Sequence, residues 1–498
     1  MKDSKVFTNP IILKILDYYK NLWALGYTSA IAHWDLETYM PKKGSMARGQ
    51  ALGRLATIRQ KMFLENGFIS LINKADEEKT LSDEEKGVVR ILKRSLDFYE
   101  KIPSTFLEKF ENLTSNATVV WRDAKEKDNY EIFEPALSKI FEMNKQMAEY
   151  IGYIDSPYDA LLDLFEEGLT SKQVSNFFDE IRDPLKTLLN RITTSKKYSK
   201  DHWLEDNKYD KDAMHKLNDK VLGSLWSDSD RFRIDISTHP FTTSFSNNDT
   251  RITTWYHKKN FARSLLATVH EFGHALYELQ SADEFEMTPL AGGSSLVIHE
   301  SQSRFWENFV GRSDNFIKKF LPDMEKVVSG AWPTSSVDKK LTVDDVSLYF
   351  NKVTPGLLRV EADEVTYHFH IMLRYEIEKG LMEDIYHVSD VKEVWNTKMK
   401  EYLGIMPKKD SEGVLQDIHW SGGSVGYFPT YSLGTFLGAQ WEKKITGDPK
   451  KWLEKNVHQF GSTYTLSELL KKNKMSFDPS VNLKYLEDKY SKIYDFTC

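Results

Sequence analysis

Apolar residues recur every three or four positions along most of this 498-residue chain, and only 25 glycines and 15 prolines interrupt them. Side chains three and four apart share one face of an α-helix, so this periodicity predicts a mainly α-helical fold. Helices are expected over residues 11–31, 44–62, 82–100, 105–127, 131–152, 171–194 and 211–225, then over 295–311, 314–330, 343–353, 357–380 and 390–404. Ser82 and Glu85 have the spacing of a capping box, and Pro184 should kink or divide its helix. A loop-rich stretch from Met406 to Tyr431 precedes the final helices.

The character changes between Arg231 and Tyr256. Phe232, Ile234 and Ile236 alternate, and Arg251-Ile252-Thr253-Thr254-Trp255-Tyr256 is rich in β-formers, with Ser246-Asn247-Asn248-Asp249 as turn chemistry between them. A small antiparallel sheet is expected here, with an edge strand able to pair with an extended peptide.

The next segment carries the chemistry. His270-Glu271-Phe272-Gly273-His274 lies in a stretch where Leu265, Leu266, Val269, Phe272, Leu276 and Leu279 keep helical spacing and no proline intervenes from Phe261 to Ala282. Four residues apart on a helix, both imidazoles reach one ion, while Glu271 sits about 100° round the axis, beside that ion and placed to act as a base. A catalytic site of this kind needs a third protein ligand. Glu278 continues the row but lies about 12 Å from His270 along the axis, too far to share an ion. A second helix must supply the ligand, and Gly292-Gly293-Ser294-Ser295 reads as the turn leading into one that carries His299 and Glu300. Two histidines and a carboxylate are the set used by hydrolytic zinc sites, which favours Glu300 with His299 as the alternate.

A formal net charge of −7 without a basic block argues against nucleic-acid binding. The single cysteine, Cys498, excludes an intrachain disulfide and a thiolate-rich cluster. The start of the chain lacks a signal-type apolar core and no stretch has the length of a membrane span, so the expected location is cytoplasmic. The expected organisation is one catalytic unit over 1–498, with a helical half to about residue 210 and a metal-binding half from about 211, the charged stretch Ser199 to Asp212 marking the edge.

Six segments in order then carry a resemblance: His239-Pro240-Phe241, Asp249-Thr250-Arg251-Ile252-Thr253, His270 to His274, His299-Glu300-Ser301-Gln302, Leu358-Arg359-Val360-Glu361-Ala362-Asp363 and Gly413-Val414-Leu415-Gln416-Asp417-Ile418-His419-Trp420. With Trp34-Asp35 and Gly426 to Tyr431 they make the chain similar to the carboxypeptidase Taq family of metallocarboxypeptidases over nearly its whole length. One departure is Leu358, where that family's pattern usually has isoleucine.

The resemblance implies a large helical, neurolysin-like fold with a deep substrate groove, a homodimer, and broad-specificity release of single amino acids from free carboxyl ends of peptides. One divalent metal per subunit is implied, zinc first with cobalt as a substitute, on His270, His274 and Glu300, with Glu271 as general base. His419, Tyr427 and Tyr431 are candidate donors to the oxyanion, with the choice between the tyrosines open. Arg359 and Arg251 suit a free carboxylate through bidentate hydrogen bonds, although Asp249, Glu361 and Asp363 are near enough in sequence to make either a structural ion pair. His239 and Gln416 are assigned to the substrate backbone by resemblance alone, and Asp417 is a candidate for orienting a histidine. The rivals are an endopeptidase or dipeptidyl carboxypeptidase with the same chemistry, an inactive peptide-binding protein, against which the intact Glu271 argues, and a structural helical scaffold with accidental motifs.

Overall fold

The computed structural model describes residues 6–205, 207–237, 239–293, 295–331 and 340–496; Cys498 lies outside them. They form nineteen α-helices and one small sheet. In chain order these are α1 (Pro10–Thr38), α2 (Ser45–Phe63), α3 (Asn66–Asp76), α4 (Asp83–Lys101), α5 (Ser104–Glu126), α6 (Glu134–Ile151), α7 (Pro157–Phe165), α8 (Ser171–Thr193) and α9 (Lys211–Leu225). Strands β1 (Phe232–Ile236), β2 (Thr242–Ser246) and β3 (Asp249–Thr254) follow. Helices α10 (Phe261–Leu279), α11 (Leu296–Arg304), α12 (Asp314–Ser329), α13 (Val343–Phe350), α14 (Tyr367–Met382), α15 (Val391–Leu403), α16 (Pro429–Lys444), α17 (Pro449–Asn456), α18 (Leu466–Lys472) and α19 (Ser480–Tyr494) complete the chain. No helix among the described residues is long and apolar enough to cross a membrane.

Local chemistry accounts for several boundaries. The expected capping box forms before α4: Ser82 Oγ accepts from the Glu85 N–H and Glu85 Oε2 from the Ser82 N–H, both at 3.1 Å. Glu85 Oε1 also accepts from the N–H groups of Thr8 and Asn9, tying the start of α1 to α4. Pro184 sits inside α8 without dividing it.

Three expectations need correction. The helix expected over 357–380 begins only at Tyr367, after a 3-10 turn at Arg359–Glu361. The cause is Asp363, whose carboxylate accepts from the N–H groups of Thr354, Val365 and Thr366, a local alternative to helical bonding. The helix expected over 295–311 is α-helical only to Arg304 and continues as a π-helix over Phe305–Gly311. The sheet, in order β1-β3-β2, is mixed rather than antiparallel: β2 pairs antiparallel with β3, but β1 runs parallel to it. β1 and β2 thus lie on opposite edges of the central β3, and Pro240, just before β2, has no N–H to donate.

The chain separates into two compact units, each assembled from three stretches. The first comprises the chain up to Asp97, Trp203–Phe350 and Lys444–Ser476; the second comprises Phe98–His202, Asn351–Lys443 and the chain from Phe477. In the first unit the core gathers round α10, whose Leu265, Val269, Phe272 and Leu276 are buried against β3, α9 and α11. In the second it gathers round α14, which packs on α6, α7, α8 and α15. Nearly every residue of α14 is buried, yet His370, Arg374 and Glu378 form a polar row four residues apart along one of its faces.

Candidate active site

In the first unit His270, His274 and Glu300 converge so that one ligand atom from each lies within 4.8 Å of the others. Glu300 Oε2 is 3.8 Å from His270 Nε2 and 3.6 Å from His274 Nε2. An ion with arms of about 2 Å holds tetrahedral ligand atoms roughly 3.3 Å apart, so a small contraction closes this set on a cation. The approach depends on Gly273: a Cβ there would stand 2.6 Å from both the Gln302 carbonyl oxygen and the Ser303 Cα, so only glycine lets α11 come this close to α10.

Each ligand is turned toward the common point by its other atoms. His270 Nδ1 is 2.9 Å from Glu307 Oε2, on the π-helical segment. His274 Nδ1 is 2.7 Å from His299 Nδ1, and His299 Nε2 is 2.7 Å from Glu278 Oε1. Glu300 receives Arg304 Nε on Oε1 at 2.7 Å, and its Oε2, which also accepts from the Ser303 hydroxyl at 3.2 Å, faces the imidazoles. His299, the alternate ligand, therefore has both ring nitrogens engaged and supports His274 instead. The Gly292-Gly293 turn makes room for this chain, since a Cβ on Gly293 would fall 2.5 Å from the His299 ring.

The surroundings act on the two imidazoles in opposite directions. Burial opposes protonation of His270, but Glu300 and Glu307 outweigh it and hold its pKa above the ordinary value. His274, buried and flanked by His299, His270 and Arg304, is held well below it, keeping a lone pair available. Two imidazole nitrogens, one carboxylate oxygen and further carboxylates behind them form a donor set that fits a divalent cation.

Glu271 stands beside the triad without joining it. The Thr242 hydroxyl, on β2, lies 2.7 Å from Glu271 Oε2 and 3.0 Å from the Glu271 carbonyl oxygen. Burial is the main influence on its carboxyl and pushes the pKa up, with Glu300 and Glu307 adding to it. That direction suits a group that takes up and returns a proton.

Other candidates gather in the second unit. Arg359 donates to Asp417 Oδ1 through Nε and Nη2 at 3.0 and 2.8 Å, while Arg374 donates to Asp417 Oδ2 through Nε at 2.7 Å and through Nη2. Burial alone would raise the Asp417 pKa, but the two guanidinium groups and His419 hold it far below the ordinary range. Two buried cations on one carboxylate leave a surplus of positive charge. His419 lies over Phe428 with ring centroids 4.6 Å apart, and its Nε2 is 3.4 Å from the Tyr431 hydroxyl. Burial is the first cause that brings the His419 pKa down to about 4, with Arg359 and Arg374 adding to it, so the imidazole is neutral near pH 7. Tyr427 packs edge-on against Phe165 and Tyr431, centroids 5.2 Å from each.

Three residues expected at the substrate make contacts within the chain. Arg251 is paired with its own neighbour Asp249 through two hydrogen bonds of 2.8 and 2.7 Å and lies over the Phe245 ring. Gln416 uses its amide inside the chain, accepting from the Arg359 N–H at 2.9 Å and donating to the carbonyls of Leu357, Glu412 and Gly413. His239 is exposed, and its carbonyl accepts from Ser237 and Thr253. Sequence reasoning missed Thr242, Glu307, Arg374 and Glu378. For the last two, the four-residue spacing from His370 through Arg374 to Glu378 was the available signal.

Residues 14–490 match the family described as Carboxypeptidase Taq (M32) metallopeptidase. Thermostable carboxypeptidase 1 of Pyrococcus furiosus is 43% identical over 98% of this chain and 99% of its own, and carboxypeptidase 1 of Bacillus subtilis is 35% identical over 97% and 98%. The solved structure of the Pyrococcus furiosus carboxypeptidase superposes with a TM-score of 0.94 at 43% identity, covering 97% of this chain and 100% of that one.

Proposed function

The chain belongs to the carboxypeptidase Taq (M32) family of metallopeptidases, and from that premise we propose that it releases single amino acids from free carboxyl ends of peptides, with broad tolerance for the residue removed. Membership makes it a metallocarboxypeptidase, a peptide hydrolase that requires a divalent metal. The observation that carries the finer reading is the convergence of His270, His274 and Glu300 beside a Glu271 that is not part of the triad. We assign zinc, with cobalt able to replace it, because two imidazoles and one carboxylate form the ligand set of hydrolytic zinc sites.

His270, His274 and Glu300 would hold a divalent ion, which would supply Lewis-acid chemistry for acidifying a water and polarising the scissile carbonyl. Glu271, oriented by Thr242, takes the proton of the attacking water and later delivers it to the leaving amine. The oxygen that gains charge needs hydrogen-bond donors, and His419 and Tyr431 are assigned there, supported by the neutral imidazole and its contact with the tyrosine hydroxyl. Tyr427, with its ring 5.2 Å from that of Tyr431, is the alternate tyrosine donor to the same oxygen. Arg359 is assigned to the terminal carboxylate, supported by the positive surplus over Asp417, and Gln416 acts by holding the Arg359 backbone. The edge strand β2 is the position at which an extended peptide backbone would add, with Arg251 on the central strand β3 and His239 in the chain just before β2. The reading also includes a homodimer and a cytoplasmic location, the latter supported by the single cysteine.

The test is product identification by mass spectrometry on one peptide with a free and with an amidated carboxyl end, using protein stripped of metal and reloaded with zinc or cobalt. Stepwise loss of single residues from the free end alone is expected. Internal cleavage or release of dipeptides would overturn the assignment.

A further inference from the structure

Glu378 is wholly buried on α14, and its carboxyl group receives three donors. Trp420 Nε1 donates to Oε1 at 2.6 Å, while the Gly426 N–H at 2.9 Å and the Tyr158 hydroxyl at 2.6 Å both donate to Oε2. Trp420 directly follows His419, and Gly426 directly precedes Tyr427. One side chain thus grips the segment bearing both residues at its two ends.

We infer that Glu378 is a positioning residue that fixes His419 and Tyr427 by holding Trp420 with one carboxyl oxygen and Gly426 with the other. The inference rests on the proposed roles of His419 and Tyr427 in the reaction. Only a carboxyl group meets the requirement. A glutamine offers one accepting oxygen, and its NH2 would confront either the indole N–H or the Gly426 N–H, leaving a buried donor without an acceptor. An apolar side chain would leave both unmet. Gly426 is itself held in place, with φ at +96° and a would-be Cβ 2.9 Å from the Leu161 backbone, so the loop has little freedom to find another acceptor. On the other flank, the Trp420 ring meets Trp395 and Phe141 edge-on, at centroid distances of 6.0 and 6.3 Å. Burying a carboxyl group among these rings is costly where stability is the sole demand. Its retention with both oxygens aimed at one loop points to geometry as the return.

Glu378→Gln, Tyr158→Phe, His419→Ala and Tyr427→Phe are to be compared as metal-loaded enzymes on a free-carboxyl peptide, with metal content and thermal unfolding measured alongside. Because a misplacement of about 1 Å can cost roughly a hundredfold in rate, Glu378→Gln is expected to lower kcat at least about tenfold, with KM and metal content near wild type. Tyr158→Phe removes a bond to the same carboxyl but neither loop anchor, so it should lower Tm while keeping kcat within about threefold. Should Glu378→Gln not accumulate folded, Trp420→Phe, which removes one anchoring N–H, decides by the same readout. Wild-type kcat in Glu378→Gln with His419→Ala impaired would overturn this inference alone, as would an equal kcat loss in Tyr158→Phe. Full activity in both His419→Ala and Tyr427→Phe would instead overturn the reading beneath it, and this inference with it.

Discussion

His274 and His299 meet through their Nδ1 atoms at 2.7 Å, so one hydrogen lies between two nitrogens and one ring must accept. If His274 is to present an Nε2 lone pair to a cation, its Nδ1 carries the hydrogen, His299 accepts it, and the hydrogen on His299 Nε2 goes to Glu278. Removing His299 leaves all three ligands but frees His274 to rotate and change tautomer. His299→Ala should therefore weaken zinc binding by about 10–100-fold, read by competition with a chelator. Unchanged affinity would show that His299 does not orient the ligand.

Gly273 makes a separate prediction about the same triad. A methyl at this position would enter the α11 backbone at Gln302 and Ser303 rather than meet a flexible side chain. Gly273→Ala should cost about 1–3 kcal/mol of stability by overpacking and should also weaken metal binding, because the helix it displaces carries Glu300. Denaturant unfolding with and without zinc separates the two effects. A stability loss with intact zinc affinity would refute the link to Glu300.

Glu271→Gln keeps the shape of the side chain and a partner for Thr242 but cannot accept a proton. It should bind zinc normally and lose about 10²–10⁴-fold in kcat. Metal analysis and single-turnover kinetics on one preparation check both halves, and retained turnover at full metal occupancy would remove Glu271 from the role of base.

The parts of the site legible in the sequence are those set by helix geometry. His270 and His274 share a face because they are four residues apart, and the rise per residue excluded Glu278 and required a second helix bearing Glu300. Glu307 was not legible, because the chain leaves the α-helical register after Arg304 and π-helical turns carry no strong sequence marker. The start of α14 was misread because apolar spacing continues through 357–366, while the competing Asp363 carboxylate is a single residue against that pattern. Asp417 bonds to Arg374 and Arg359 over separations of 43 and 58 residues, beyond the reach of any local period. The two units interleave three stretches each, and only the crossing at Trp203 falls near a visible change, the charged stretch from Ser199 to Asp212.

Arg359 and Arg374 divide Asp417 between them, so removing Arg359 leaves a balanced buried pair while removing the surplus charge. Arg359→Ala should fold and should raise KM for free-carboxyl peptides about 10–100-fold, the range of a charge-assisted hydrogen bond. Any residual turnover of the amidated peptide should be unchanged. Equal losses on both peptides would assign Arg359 a structural role only.

Glu378 gives a pH dependence whose sign can be worked out. Burial pushes its pKa up to about 7, against the opposing hydrogen bonds from Tyr158, Gly426 and Trp420 and the charge of Arg374 on the same helix. A carboxyl whose folded pKa exceeds its unfolded value of about 4.3 stabilises the fold fully below that unfolded value and progressively less as pH rises through the folded one. The neutral form still accepts at both oxygens and can donate its own hydrogen to Tyr158, so protonation does not release the loop. The rise from about 4.3 to about 7 corresponds to about 4 kcal/mol lost between roughly pH 4 and 7. Glu378→Gln, with no group to ionise, should show a flatter decline of stability over that window, measured by urea unfolding at a series of pH values. Parallel curves for the two proteins would show that Glu378 does not carry the linkage, and a steeper decline in the variant would reverse its sign.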